Sequence, residues 1–308
     1  MNKIVAICGP TAVGKTAYSI EIAKKFDGEI VSCDSMQLYK YMDIGSAKPS
    51  SEELNQVKHH LIGIVDPSEM FSVAKYKELA NDAIDDIISR GKLPIIAGGT
   101  GLYLDALLYD LDFAAAPSDD SLRDELYKIA EEKGNLELHA ILQECDPSSA
   151  KRIHPNNVRR VVRAIESAKS GVQLKDFARD LSLNDKYEFI LIGLRRDREE
   201  LYDRINRRVD VLVKEGLFEE VKMLREMGLS ESDISMKGIG YKEVLAYFDG
   251  EYDLETAIDT IKKNTRHFAK RQITWLKRYD DMKWFDLSES KEDKDSIREI
   301  ITWLEKGL

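Results

Sequence analysis

A chain of 308 residues that is 43% apolar can bury a large core, as one elaborated domain or two units. Its net charge of −10 argues against gross, non-specific nucleic-acid binding. No stretch approaches the ~20 consecutive apolar residues of a membrane span.

The opening residues Met1-Asn2-Lys3-Ile4-Val5 enter an apolar strand directly, which leaves no room for a signal peptide. Cys8, Cys33 and Cys145 form no CxxC pair, so a reduced, cytoplasmic setting is expected, with Cys8 and Cys33 as small core residues. The first third predicts strands at Ile4–Cys8, Glu29–Cys33, His60–Val65 and Leu93–Ala97, with helices at Lys15–Phe26 and Val73–Ser89. Between the first strand and the first helix lies Gly9-Pro10-Thr11-Ala12-Val13-Gly14-Lys15-Thr16, a P-loop. Its glycines let successive N–H groups converge on phosphate oxygens, and the helix N-terminus adds partial positive charge. Lys15 neutralises the distal phosphate, and the Thr16 hydroxyl can ligate Mg²⁺. ATP or GTP is the commonest guest of such a loop, but the motif itself does not name the phosphate compound.

A nucleotide site would use a carboxylate at the end of another strand. Leu93–Ala97 ends instead in Gly98-Gly99-Thr100-Gly101, so Asp34 or Asp66, each ending a predicted strand, must serve. Asp34, followed by Ser35, Met36 and Gln37, reads as a general base, a metal-supporting carboxylate or a helix N-cap. The second glycine turn reads as close approach to a ligand, with Thr100 donating to it, or as a tight turn that Thr100 caps.

From Ala114 the pattern turns helical: Ser118–Lys133, Asn135–Glu144, Asn157–Ser170 and Leu174–Leu181, punctuated by Gly134, Pro147, Pro155 and Gly171. A strand returns at Tyr187–Leu194. Helices follow at Arg198–Met227, Gly240–Phe248 and Leu254–Arg278, then a short apolar segment at Lys283–Leu287 and a last helix after Lys294. The expected fold is α/β, a P-loop NTPase-like parallel sheet flanked by helices over residues 1–113 and 187–308, with an all-helical insertion at 114–186.

Two stretches lack acids. Lys262–Arg278 places Lys263, Arg266, Lys270 and Lys277 on one helix face, with Leu254, Ala257, Ile261, Phe268 and Leu276 on others as packing. Lys151–Ile165 carries the cluster Arg159, Arg160 and Arg163. The two together suit a grip on a folded nucleic acid; a solvated basic face is the plain alternative. The five histidines show no metal-ligand spacing.

With these residues in view, the chain from Ile4 to about Arg278 resembles the bacterial tRNA dimethylallyltransferases, also called tRNA isopentenyltransferases. Beside Gly9–Thr16, the resemblance rests on Asp34-Ser35-Met36-Gln37-Leu38-Tyr39, Met42-Asp43-Ile44-Gly45-Ser46-Ala47-Lys48-Pro49 and Gly98-Gly99-Thr100-Gly101-Leu102-Tyr103. It continues through Arg152-Ile153-His154-Pro155-Asn156, Gly238-Ile239-Gly240-Tyr241 and Ala269-Lys270-Arg271-Gln272-Ile273-Thr274-Trp275-Leu276.

The resemblance implies transfer of a dimethylallyl group from dimethylallyl diphosphate to N6 of the adenosine immediately 3′ of the anticodon (position 37), in tRNAs reading codons that begin with U. It implies that the P-loop holds the donor's diphosphate with Mg²⁺, that Asp34 is the general base, that Thr100 contacts donor or target nucleotide, and that Arg208 binds diphosphate. Contacts with the tRNA anticodon stem-loop are implied at Asp34, Ser35, Met36, Gln37, Thr100, Arg123, Arg159, Arg160, Arg163, Gly240, Tyr241, Lys270, Arg271 and Gln272. Lys242 stands where some relatives carry arginine, which puts one local contact in question. A monomer without membrane attachment is expected. Outside the resemblance, a P-loop nucleoside or nucleotide kinase, a nucleic-acid-dependent ATPase and an RNA-binding module are the competing readings.

Overall fold

The first apolar run, Asn2–Cys8, is strand β1, and Ile4–Ile7 within it are wholly buried, as in a parallel strand covered on both faces. The computed structural model describes residues 2–109, 111, 120–171, 182–289 and 293–308. After β1 come α1 (Lys15–Lys25), β2 (Gly28–Cys33), α2 (Ser51–Gln56), β3 (His59–His60), α3 (Val73–Ser89), β4 (Leu93–Gly98) and α4 (Gly101–Leu108). Four helices follow: α5 (Asp120–Lys133), α6 (Asn135–Cys145), α7 (Pro147–Arg152) and α8 (Val158–Lys169). The chain then forms β5 (Tyr187–Arg195), α9 (Arg198–Glu215), α10 (Leu217–Glu226), α11 (Tyr241–Phe248), α12 (Leu254–Leu276), β6 (Lys283–Asp286) and α13 (Asp293–Gly307).

The six strands make one sheet in the order β3-β2-β4-β1-β5-β6, with every neighbouring pair parallel. This is the expected α/β class. Parallel strands gather their carboxyl ends on one edge, where open α/β sheets bind ligands. The register aligns Cys8, Gly98 and Cys33 across β1, β4 and β2, so the three segments that follow them leave the sheet side by side.

The chain divides into an α/β unit, residues 1–108 and 184–308, and a helical unit, residues 109–183. The helical unit has its own core of Leu126, Leu138, Leu142, Val161, Val162 and Ile165. Residues 184–186, assigned to the insertion from sequence, group with the α/β unit. Ala114, Ser118 and the predicted helix Leu174–Leu181 lie outside the described residues.

Three expectations are corrected. The run His60–Val65 is not a strand: β3 ends at His60, because Leu61 and Gly63 both adopt φ of 61°, and Val65 makes only an isolated bridge to Tyr39. The helix expected over Arg198–Met227 breaks at Gly216, whose φ of 108° closes α9 and opens α10. Helix α12 ends at Leu276, short of Arg278. Two short helices, α2 and α7, carry local capping signals. Ser50 and Glu53 form a capping box before α2, and Pro147 opens α7 behind the Asp146 cap.

Candidate active site

Lys15 opens α1 directly after Gly14, which stands at φ 116°. Ala12 in the same loop has φ 63°, a left-handed conformation that costs a residue with a side chain about 1–2 kcal/mol. Two arginines hold the loop in this shape. Arg204 Nε donates to Ala12 O and Arg196 Nε to Val13 O, each at 3.1 Å. From a third side, Gln272 Oε1 accepts the Thr11 N–H at 2.8 Å. Lys15 Nζ folds over the loop and donates to Gly9 O (3.0 Å) and Pro10 O (2.8 Å). Burial lowers its pKa from 10.5 to about 8; the Asp34 charge opposes that fall and Arg208 adds to it. Burial pushes the Cys8 thiol up to about 12 and the Cys33 thiol also upward, so neither is a nucleophile at neutral pH.

Asp34 leaves β2 on the same sheet edge. Its Oδ1 accepts the Met36 N–H at 2.9 Å, closing a turn, and no helix follows, so it is not a helix cap. Lys15, Thr16 and Asp34 line one depression together with Ser32, Gln37 and Gly98. Asp66 does not reach it. Its Oδ1 is taken by Ser68 N–H at 3.0 Å and Ser68 Oγ at 2.6 Å, which leaves Asp34 as the strand-end carboxylate beside the P-loop.

The Gly98–Gly101 turn is stapled to the Asp34 turn. Thr100 N–H donates to Cys33 O, and Thr100 Oγ1 accepts Ser35 N–H, both at 3.1 Å. Helix α4 therefore starts from the Thr100 carbonyl, and the side chain does not cap it. The three glycines answer to protein neighbours. A Cβ on Gly98 would lie 2.1 Å from Cys33 O, on Gly99 2.2 Å from Gln272 Nε2, and on Gly101 2.2 Å from the Trp275 ring. Protein neighbours alone therefore suffice to require glycine at these positions.

Arg208 projects from α9, and its Nη2 reaches Ala47 O at 3.4 Å, an oxygen that also accepts Gln37 Nε2 at 3.2 Å. Surrounding protein lowers its pKa, while the Glu53 and Asp34 charges act against the fall. The loop before Ala47 hangs on buried Glu220. This carboxylate accepts the N–H groups of Asp43 (2.7 Å), Ile44 (2.7 Å) and Gly45 (2.9 Å) and the Tyr241 hydroxyl (2.8 Å). Met36 packs against Gly238, where a Cβ would meet its Cε at 2.5 Å.

Three residues expected at an RNA surface lie inside instead. Tyr241 is fully buried, Gly240 is buried with its N–H donated to Glu243, and Gln272 is 5% exposed. Helix α12 buries Ala257, Ile261, Ala269, Gln272 and Leu276, and shows Lys263, Lys270 and Arg271 on its open side, with exposed Lys277 just past its end. Leu254, expected to pack, is 49% exposed. Arg266 donates to Asn206, Lys262 pairs with Asp210, and Arg278 pairs with buried Asp105.

In the helical unit, Arg159 and Arg160 are exposed on α8. Arg163 and Arg123 converge on buried Glu166, at 3.4 Å and 2.7 Å, so part of the arginine cluster is committed to the unit's own core. The contacts of Arg196 and Arg204 with the P-loop, and of Glu220 with the 43–45 backbone, have no local sequence signal, since these partners lie far away along the chain.

The family model described as IPP transferase matches residues 37–279. The chain is 50% identical to a tRNA dimethylallyltransferase of Clostridioides difficile (strain 630), with all of both chains covered. It is 51% identical to one of Alkaliphilus oremlandii (strain OhILAs), over 93% of this chain and 92% of that one. Among solved structures, a full-length tRNA isopentenylpyrophosphate transferase of Bacillus halodurans superposes with a TM-score of 0.75 at 45% identity, covering 99% of this chain and 96% of that one. A eukaryotic dimethylallyltransferase described as acting on tRNA gives a TM-score of 0.84 at 30% identity, over 98% of this chain and 78% of that one. The matched family span begins after the P-loop and Asp34, whereas the Clostridioides difficile relative is aligned through them.

Proposed function

Because the chain belongs to the IPP transferase family, we propose that it moves the dimethylallyl group of dimethylallyl diphosphate to N6 of the adenosine 3′ of the anticodon in tRNAs reading UNN codons. The observation that carries this reading is the joint lining of one depression by Lys15, Thr16 and Asp34. Those residues supply a phosphate cradle and a carboxylate base at one place.

The N6 amine attacks C1 of the donor, the C1–O bond breaks, and diphosphate leaves with the bonding pair. An adenine amine is a weak nucleophile because its lone pair is delocalised into the ring. Two kinds of assistance are therefore needed. Lys15, the α1 amides and Arg208 stabilise the negative charge that develops on the leaving group. Asp34 receives the amine proton as the carbon–nitrogen bond forms. The target base must leave its stack to reach the sheet edge, and the exposed cations on α12, like those on α8 within the helical unit, suit contact with tRNA phosphates.

Among the described residues, no cluster of three or more His, Cys, Asp or Glu forms a metal cage. Mg²⁺ does not require one, since it keeps much of its water and takes one or two protein oxygens beside phosphate oxygens. Thr16 fits that donor set, and Mg²⁺ bound there would offset the diphosphate charge. No helix of the described residues is long and apolar enough to cross a membrane.

The test is to incubate the protein with labelled dimethylallyl diphosphate, Mg²⁺ and unmodified tRNA carrying adenosine beside the anticodon. Label is expected in that adenosine, with diphosphate released in equal amount. Unlabelled RNA, together with ATP-dependent phosphorylation of a nucleoside, would overturn the proposal in favour of a kinase.

A further inference from the structure

We propose that Gln272 is a positioning residue that fixes the donor-holding P-loop and the Gly98–Gly101 turn relative to each other; this rests on the function proposed above. Gln272 stands on the buried side of α12, opposite the exposed lysines, and both ends of its amide are engaged. Oε1 accepts the Thr11 N–H at 2.8 Å, and Nε2 donates to Gly99 O at 3.0 Å. Both partners are backbone groups of fixed polarity, so they dictate which end of the amide is which. The amide presents a donor and an acceptor at the end of a two-methylene stem; a carboxylate lacks the donor, and Lys or Arg lacks the acceptor. The fit is close, since a Cβ on Gly99 would stand 2.2 Å from Nε2 and 3.0 Å from Gly9 O.

The contacts continue beyond the amide. Gly99 leads into Thr100, whose Oγ1 accepts Ser35 N–H, and Ser35 follows Asp34. An unbroken series therefore joins the loop that holds the leaving group to the carboxylate that takes the proton. Displacing reacting groups by ~1 Å can lower a rate about 100-fold, so the side chain at the middle of that series bears on rate without touching substrate.

Three variants separate the two halves of the contact. Gln272→Glu keeps an acceptor for Thr11 but sets a carboxylate oxygen against Gly99 O. Gln272→Met fills the space with neither contact, and Gln272→Ala removes both contacts and volume. Calorimetry with magnesium diphosphate reads the diphosphate site without tRNA, steady-state transfer gives kcat, and tRNA affinity is measured without donor. For Gln272→Glu we expect diphosphate affinity within about threefold of the parent and kcat lowered about 100-fold. For Gln272→Met and Gln272→Ala we expect diphosphate affinity weakened about tenfold and kcat lowered at least as far as in Gln272→Glu. All three should retain tRNA affinity within about twofold, and an unchanged melting temperature for Gln272→Met separates these losses from unfolding. Lost tRNA affinity with intact diphosphate binding would make Gln272 an RNA contact, and parental kcat in Gln272→Met would make it a filler; either overturns the proposal. Failure of the unmutated protein to bind diphosphate would instead overturn the functional reading itself.

Discussion

Lys15 enters the catalytic account with its charge partly withdrawn, because burial brings its pKa down to about 8. A bound diphosphate favours the charged form and raises that pKa again. Above about pH 8 the free protein has lost the proton that the complex retains, so donor binding there takes up a proton; well below it, Lys15 is already charged and no uptake occurs. Calorimetry of dimethylallyl diphosphate binding at about pH 9, in buffers of different ionisation enthalpy, should show uptake approaching one proton, absent in Lys15→Met. Uptake that persists in Lys15→Met would place the titrating group elsewhere. The P-loop was legible at this scale because its meaning lies in eight consecutive residues. Arg204 and Gln272 were not, since their partners in the loop lie 192 and 261 positions away. Spacing is equally silent on Tyr241, whose hydroxyl donates to Glu220 inside the fold.

At the level of elements, the helices that frame the site depend on turns as much as on faces. Gly216 at φ 108° separates α9, which supplies Arg204 and Arg208, from α10, which supplies Glu220. Gly216→Ala should cost about 1–2 kcal/mol and lower the melting temperature by a few degrees, read by thermal denaturation. No change would mean that the turn relaxes. Apolar periodicity runs through such a glycine without interruption, which is why a single helix was expected there. In the same way, the apolar run after His60 reads as a strand until Leu61 and Gly63 turn left-handed. Helix α8 was legible as an amphipathic helix, but its arginines divide into two jobs that spacing cannot separate. Arg159→Ala should weaken tRNA binding and reduce the salt slope by about 0.7–0.9, as loss of one phosphate contact does. Arg123→Ala should lower stability by about 1–3 kcal/mol, because it removes a partner of Glu166, a residue 3% exposed. A normal salt slope in Arg159→Ala would return that residue to a solvated face.

Across the whole molecule, alternating strands and helices sufficed to predict a parallel sheet, whereas the strand order and the β6 edge come from packing between distant segments. Away from the site, Glu29 on β2 joins Arg90, His60 and Lys58 and is 4% exposed. Its hydrogen bonds to Arg90 hold its carboxyl down from 4.5 to about 2. The folded pKa lies below the unfolded one, so this stabilisation is present above the ordinary value of 4.5 and fades as pH falls toward about 2. Its full size is at most about 3 kcal/mol, and denaturant titrations in acid should show a smaller loss of stability for Glu29→Gln than for the parent. Equal acid sensitivity in the two would assign the effect to other carboxylates. We propose the depression lined by Lys15, Thr16 and Asp34 as the place where the prenyl group changes hands. Single-turnover transfer from saturating dimethylallyl diphosphate to saturating tRNA, compared between the unmutated protein and Asp34→Asn, tests it most directly. Loss of the base should lower the rate about 10²- to 10⁴-fold, with tRNA affinity little changed. An undiminished rate, or a loss of tRNA affinity as large as the loss of rate, would contradict it.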